Sequence, residues 1–314
     1  MAYLNQSAQV SSHKKWLLAP LTLLLLLIIY FVGGMIYFHT IDDDSDFGTQ
    51  LELSPGESLT VAVTAGLIER EIDINNWVAN DPIIFPSAWL DNMPNFQRGM
   101  FQALSRFAVE LSDQIARVRG SSQIDSDLEA AAGALRYPGD VWVFDFSTFS
   151  LRERSESQYR LAATSLRSFN ERLALGDAVF EKRADNLLAT LDRFASDLGG
   201  SSAIVFRFVE TRAGDILDFE SDDVFYATKG QLYAYFILLR ALRTDFADVI
   251  QERNLTSLWD ELVNSMRRAA LLHPWVVMNG SLDSMFRPNH LAAQGFLLLR
   301  ARTQLREITN VLLK

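Results

Sequence analysis

The apolar positions of the chain follow three regimes. The first is continuous. Trp16–Phe38 reads WLLAPLTLLLLLIIYFVGGMIYF, 23 residues without a charge. At about 1.5 Å per residue a helix of that length reaches roughly 34 Å, enough to cross a hydrocarbon core of about 30 Å. Signal-peptide cores are shorter, about 7–15 residues, and end at a small-x-small site. This run ends in IYFHTIDDD with no Ala-x-Ala near its exit. The pattern predicts an uncleaved transmembrane helix over 16–38, preceded by a tail at 1–15. Trp16 at the entry and Tyr37 and Phe38 at the exit are the expected interfacial anchors.

The second regime is helical, with apolar residues three or four apart. Ser58 caps a helix to about Ile72, with Val61, Ala65 and either Leu67 or Ile68 on one face. Residues 96–119 turn Phe96, Met100, Leu104, Phe107 and Leu111 inward. Asp125 or Ser126 starts a short helix to Arg136. From Glu153 to Leu198 the pattern runs through Tyr159, Leu166, Phe169, Phe180, Leu187 and Phe194, and Gly176-Asp177 breaks it into a hairpin. Gly199-Gly200 reads as the next break, followed by a helix at 202–213 and a solvated acidic loop at 215–223. Further helices are expected at about 225–252, 256–272 and from Asn289 or Pro288 nearly to Lys314. VWVFDF at 141–146 has no evident strand partner and is expected as an extended segment packed on helices. The fold class is therefore all-α: a single N-terminal transmembrane helix followed by a multi-helix exported domain at 58–314, with a possible subdomain break near 199–201.

The third regime is irregular. Residues 39–57 hold Asp42, Asp43, Asp44 and Asp46, close on Ser54-Pro55-Gly56, and read as a solvated acidic linker. Asp42, Asp44 and Asp46 alternate as in a calcium loop, but Phe47 and Leu53 stand where an EF-hand needs Gly and Glu. Residues 73–99, DINNWVANDPIIFPSAWLDNMPNFQRG, contain Pro82, Pro86 and Pro94, which forbid a continuous helix. Here Trp77 and Trp89 alternate with Asn75, Asn76, Asn80, Asn92 and Asn95. Amides beside large rings form either a buried hydrogen-bonded corner or a polar ligand groove.

Charge sets the orientation and excludes some partners. Lys14 and Lys15 precede the apolar run and the aspartates follow it, so the positive-inside rule keeps the N-terminus cytoplasmic and exports the rest. The expected setting is a bacterial inner membrane with the main domain in the periplasm. Beyond residue 41 the chain carries 27 basic and 39 acidic residues, a net of -12, which opposes nucleic acid. There is no Cys, hence no disulfide framework, thiol nucleophile or Cys-ligated metal.

No motif specifies catalysis, and neither catalytic residues, a cofactor nor a metal site is expected. His273 and His290 lack the spacing of a zinc site, and no Gly-x-Ser-x-Gly elbow or phosphate-cradling glycine loop occurs. Glu181, in VFEKRADNL, has apolar neighbours but also Arg183 and Asp185, which favour a surface ion-pair face.

Residues 76–99 together with VFEKRADNLLATLDRF (179–194), DDVFYATKGQLYAYF (222–236) and PNHLAAQGFLLLRARTQLREI (288–308) resemble a bacterial family known as the domain of unknown function 2333. The resemblance spans nearly the whole chain. It implies a proteobacterial membrane-anchored protein and transfers no activity, cofactor or catalytic residue. The interaction surface is placed on the segment with the densest mixture of rings, amides and prolines: Trp77, Asn80, Asp81, Trp89, Asp91, Asn92, Asn95 and Gln97. The expected function is a non-catalytic envelope interaction or scaffold protein, with the bilayer and an envelope protein as partners. A carboxylate-based glycan hydrolase and a lipid or small-ligand carrier are the alternatives; oligomeric state stays open.

Overall fold

A computed structural model describes residues 3–115, 124–145, 148–214 and 219–314, with side chains from Ala19 onward. The fold is all-α. Ten α-helices lie among the described residues: α1 Tyr3–Phe38, α2 Leu59–Glu69, α3 Asn92–Glu110, α4 Ser126–Leu135, α5 Ser155–Leu175, α6 Ala184–Arg212, α7 Phe219–Asp245, α8 Ala247–Glu252, α9 Thr256–Ala270 and α10 His290–Leu312. Within α1, Ala19–Phe38 is long and apolar enough to cross a membrane by length and composition, and none of it is buried in the protein.

Local chemistry sets many of the boundaries. Ser58 caps α2 by accepting from the Val61 N–H, Asp125 caps α4, and Asn289 caps α10 by accepting from the Ala292 N–H. Gly176 closes α5 in the left-handed conformation at φ 79°, as a helix C-terminus favours. α3 begins at Asn92, earlier than its periodicity predicts, because Pro94 falls in the first turn, where a missing N–H costs nothing.

Three expectations are corrected. α6 passes straight through Gly199 and Gly200. A helix-interior glycine costs only about 0.5–1 kcal/mol, and the Arg302 guanidinium of α10 lies where a Cβ on Gly199 would meet it at 2.9 Å. Of the loop expected at 215–223, residues 219–223 open α7 instead, and 215–218 lie outside the described residues. Phe144–Asp145 finds a partner in Ser150–Leu151, forming a two-residue antiparallel ladder that the sequence did not suggest.

The largest correction concerns the acidic run after α1. Asp43 and the backbone carbonyls of the run are docked on α7 from Lys229 onward, while the Asp44 and Asp46 side chains stay exposed. The Lys229 ammonium, fully buried, donates to Asp43 Oδ2 at 2.6 Å and to the carbonyls of Ala270 and Leu272 at 2.8 Å each. One turn on, the Tyr233 hydroxyl donates to the Asp44 carbonyl at 2.8 Å. Arg240 donates to the carbonyls of Ser45 and Phe47. At the far end Asp245 accepts from the hydroxyls of Ser58 (2.7 Å) and Thr60 (2.6 Å) and from the Thr60 N–H (2.9 Å). The partners are some 190 residues away in sequence, so no local pattern announces them.

α7 is the central helix, and α3 crosses it at backbone contact. A Cβ on Gly99 would lie 1.9 Å from the Ala227 carbonyl oxygen; one on Gly230 would lie 1.9 Å from that of Phe96. The two glycines thus face each other's helix, and Phe96, Met100, Leu104, Phe107, Leu232, Tyr233 and Phe236 fill the core around them. Either Gly99→Ala or Gly230→Ala is expected to force the pair apart and destabilise the domain by about 1–3 kcal/mol. Urea denaturation checks this; an unchanged midpoint would refute the crossing.

Candidate functional site

α3 has two working faces. The inward one packs on α7. The other repeats Arg98, Gln102 and Arg106 at four-residue spacing, with Phe101, Ser105 and Val109 beside them, and so lies along one side of the helix. This face forms a wall of a cleft of about 500 Å³. Leu135, Arg136, Tyr137 and Gly139 at the end of α4 form the opposite wall, and Tyr159 of α5, Arg193 of α6 and Trp77 complete it.

The floor is a three-ring cluster. Trp77, Phe101 and Tyr159 have centroids 4.5, 4.9 and 4.6 Å apart. Their polar atoms turn away: the Trp77 indole N–H donates to the Gly139 carbonyl at 2.8 Å, and the Tyr159 hydroxyl to the Tyr137 carbonyl at 3.0 Å. Burial pushes the Tyr159 phenol well above its ordinary pKa, so it stays a neutral donor. Among the described residues, four arginines, Arg98, Arg106, Arg136 and Arg193, stand on the lining, and no Asp or Glu does. Two of the four already face carboxylates: Arg193 lies 3.6 Å from buried Glu110, and Arg106 lies 3.9 Å from Asp197. Arg98 donates to the Ala79 carbonyl at 2.9 Å. A second cleft, of about 430 Å³, adjoins across Gln102 and Arg106 and holds Asp197, Asp223, Gln231 and Thr228.

The residues picked out in the sequence separate into distinct groups. Trp77, Asn80 and Gln97 are buried. Asn80 donates to the Val141 carbonyl (2.8 Å) and Glu156 (2.7 Å). Gln97 accepts from the Val78 N–H at 3.1 Å and donates to the Asn76 carbonyl (2.8 Å) and to buried Glu71 (3.2 Å). These three build a hydrogen-bonded corner, and only the Trp77 ring reaches the cleft. Asp81 accepts from the Ser87 hydroxyl. Asn95 donates to Asp223 at 2.6 Å, and Asn92 hydrogen-bonds Tyr226. Asp91 lies beside Asp222 and Asp223. Trp89 is exposed, its indole N–H donating to the Ile83 carbonyl at 2.8 Å. Of the expected anchors, Tyr37 is exposed and Phe38 packs on the core, with ring centroids 5.1 Å apart; the Trp16 side chain lies outside the described ones. Arg183 links half-buried Glu181 and exposed Asp185 in a charge group, at 3.9 and 2.7 Å.

The arginine cleft was missed by sequence reasoning. The Arg98-Gln102-Arg106 spacing was the available signal. Arg136 and Arg193 come from other helices, and their convergence has no sequence signature.

The acid group beside the second cleft makes a pH prediction. Burial, then the neighbouring charges of Asp91 and Asp223, raise the Asp222 carboxyl to about 7. Burial, then Asp91, raises Asp223 to about 6. The folded chain thus holds protons that the unfolded chain releases near pH 4. Between those values folding takes up protons, so this group's contribution to stability falls as pH rises from about 4 to 7 and is flat above. Asp222→Asn, which fixes the neutral form, is expected to raise Tm more at pH 7.5 than at pH 5. An equal shift at both would show that the carboxyl ionises normally.

No curated protein and no solved structure matches the chain. The family described as "Uncharacterized protein conserved in bacteria (DUF2333)" matches over residues 15–213 and 215–314. Cleft, corner and apolar helix all fall within the matched region, and the chain belongs to that family.

Proposed function

We propose that the chain is a single-pass inner-membrane protein, with its N-terminus in the cytoplasm and its helical domain in the periplasm, that binds an anionic component of the cell envelope without transforming it. The observation that carries this reading is the arginine cleft: four guanidinium groups and no lining acid, on a domain whose net charge is -12. A guanidinium offers paired donors that match carboxylate and phosphate oxygens. The ring cluster beneath offers an apolar platform against which the body of such a ligand can lie. Membrane placement is supported by the uncharged Ala19–Phe38 helix, with Lys14 and Lys15 before it and the aspartates after.

The test is cross-linking in native cells followed by mild-detergent extraction of the tagged full-length chain. The wild type is expected to recover a stoichiometric envelope component. The double variant Arg98→Glu, Arg136→Glu, both at exposed positions, is expected to lose at least tenfold of it while keeping its Tm. Equal recovery by the variant would remove the cleft from the function.

A second reading, a carboxylate-based glycan hydrolase, is favoured by one observation. Asp197 and Asp223 line the adjoining cleft, and Asp223 is raised to about 6 while Asp197 accepts from the Tyr235 hydroxyl at 2.8 Å. Glycan cleavage uses one protonated and one ionised carboxyl. Cleavage of purified cell-wall glycan by the wild type and not by Asp223→Asn would establish it; no cleavage by either would dismiss it.

A further inference from the structure

Two uncharged or nearly uncharged loops flank the point where α1 meets the domain, and both expose large apolar side chains. The first is residues 82–90, PIIFPSAWL, with Ile83 76% and Trp89 57% exposed and Ile84, Phe85 and Leu90 beside them. The second is residues 275–286, WVVMNGSLDSMF, with Trp275 100%, Met285 90% and Phe286 93% exposed and Asp283 as its single charge. Soluble surfaces rarely gather so much contiguous apolar area without a use.

The first loop lies beside the apolar span rather than beyond its end. The Pro86 ring fills the notch at Gly34, where a Cβ would sit 2.5 Å from Pro86 Cβ. The Phe31 and Trp89 rings are 5.1 Å apart. His39 donates from Nε2 to the Ser87 carbonyl at 3.1 Å, and burial lowers its pKa, holding it neutral. Phe31 precedes the end of the span at Phe38 by seven residues, about 10 Å down the helix. If Ala19–Phe38 is at hydrocarbon depth, Trp89 is too.

The loop is also built for a dry setting. Pro82 and Pro86 have no N–H. The Phe85 N–H donates to the Pro82 carbonyl and the Ala88 N–H to that of Phe85, at 2.9 and 3.2 Å. The Trp89 indole and the Ser87 hydroxyl are satisfied within the loop and its Asp81 base. Internal pairing of this kind is what irregular backbone needs near lipid.

The second loop is tied to the same exit. Ile41, three residues past α1, packs with Leu272 and Val277 in a cluster with Val205, Phe225 and Leu291. Lys229 joins the Leu272 carbonyl to Asp43. The stem is closed by Gly280 N–H to the Pro288 carbonyl (3.1 Å) and His290 N–H to that of Met278 (2.8 Å), leaving the tip at 281–287.

We propose that loops 82–90 and 275–286 insert into the leaflet from which α1 emerges, so that the domain is seated on the bilayer at three points. The proposal rests on the reading of α1 as a membrane span. The occupant is lipid because the first loop, which has no basic residue, is held against the span itself, and because the second has only Arg287 at the edge of its tip, far short of the basic cluster that seeks anionic headgroups. Insertion is by apolar burial and is insensitive to added salt.

The chain has no Cys, so a single introduced thiol reports one position. Full-length Leu25→Cys, Ile84→Cys, Phe286→Cys and Leu175→Cys variants are spin-labelled and reconstituted in phosphatidylcholine–phosphatidylglycerol vesicles. Oxygen and nickel-chelate accessibilities are then compared. Leu175 is exposed and closes α5, about 30 Å along the helix from the end that meets Asn80 through Glu156. Labels at 25, 84 and 286 are expected to favour oxygen, and the label at 175 the nickel chelate, at low and raised salt alike. Lipid accessibility at 25 with aqueous labels at 84 and 286 would overturn the seat and leave the anchor standing, making the loops a protein-facing surface. An aqueous label at 25 would overturn the anchor and the seat together.

Discussion

The buried ammonium of Lys229 ties the domain to the exit of its apolar helix. Lys229 is fully buried, and each of its three protons has an acceptor: Asp43 just past α1, the carbonyl of Ala270 that ends α9, and that of Leu272 just beyond it. A buried charge must be paired, and removing one partner of such a pair costs about 3–5 kcal/mol. The requirement therefore fixes three chain segments at one point. From there Tyr233 and Arg240 hold the carbonyls that follow Asp43 along α7, and Asp245 holds the start of α2 at its end.

The same helix positions the cleft. α7 accepts α3 at backbone distance through Gly99 and Gly230, and that approach leaves the opposite face of α3 free to present Arg98, Gln102 and Arg106. The corner of Trp77, Asn80 and Gln97 then braces the other side. Its amides are consumed by backbone carbonyls and by Glu71 and Glu156, so it sets chain direction and lends only the Trp77 ring to ligand space. That corner leads directly into loop 82–90. Cleft and loop thus share one support, and a ligand in the cleft would be held at a defined height above the surface on which the loop is proposed to rest.

The acid group of Asp91, Asp222 and Asp223 stands between these features, at the start of α7 and against Asn92 and Asn95 of α3. Like charges in partly buried space hold protons to unusually high pH. The arginine cleft and this group place opposite charge preferences in neighbouring clefts, which gives the surface a polarity that its overall acidity conceals.

Much of the fold was legible from local signals. The uncharged run from Trp16 to Phe38 determined a membrane-length helix, and three-and-four spacing with caps at Ser58, Asp125 and Asn289 and a stop at Gly176 determined the helical class and several boundaries. These are short-range effects, written in neighbouring residues. Gly199-Gly200 misled because a glycine's local cost is small beside the packing of a 29-residue helix. The aspartates after α1 misled because free acids and docked acids look alike until Lys229 and Arg240, nearly two hundred residues on, are brought to them. Asn80 and Gln97 read equally as groove or corner, and only their acceptors decided for the corner. The cleft depended on Arg136 and Arg193 converging from separate helices, and the apolar loops on lying beside Gly34 and Ile41. Sequence records what each residue prefers; which distant group satisfies that preference is decided only when the helices pack.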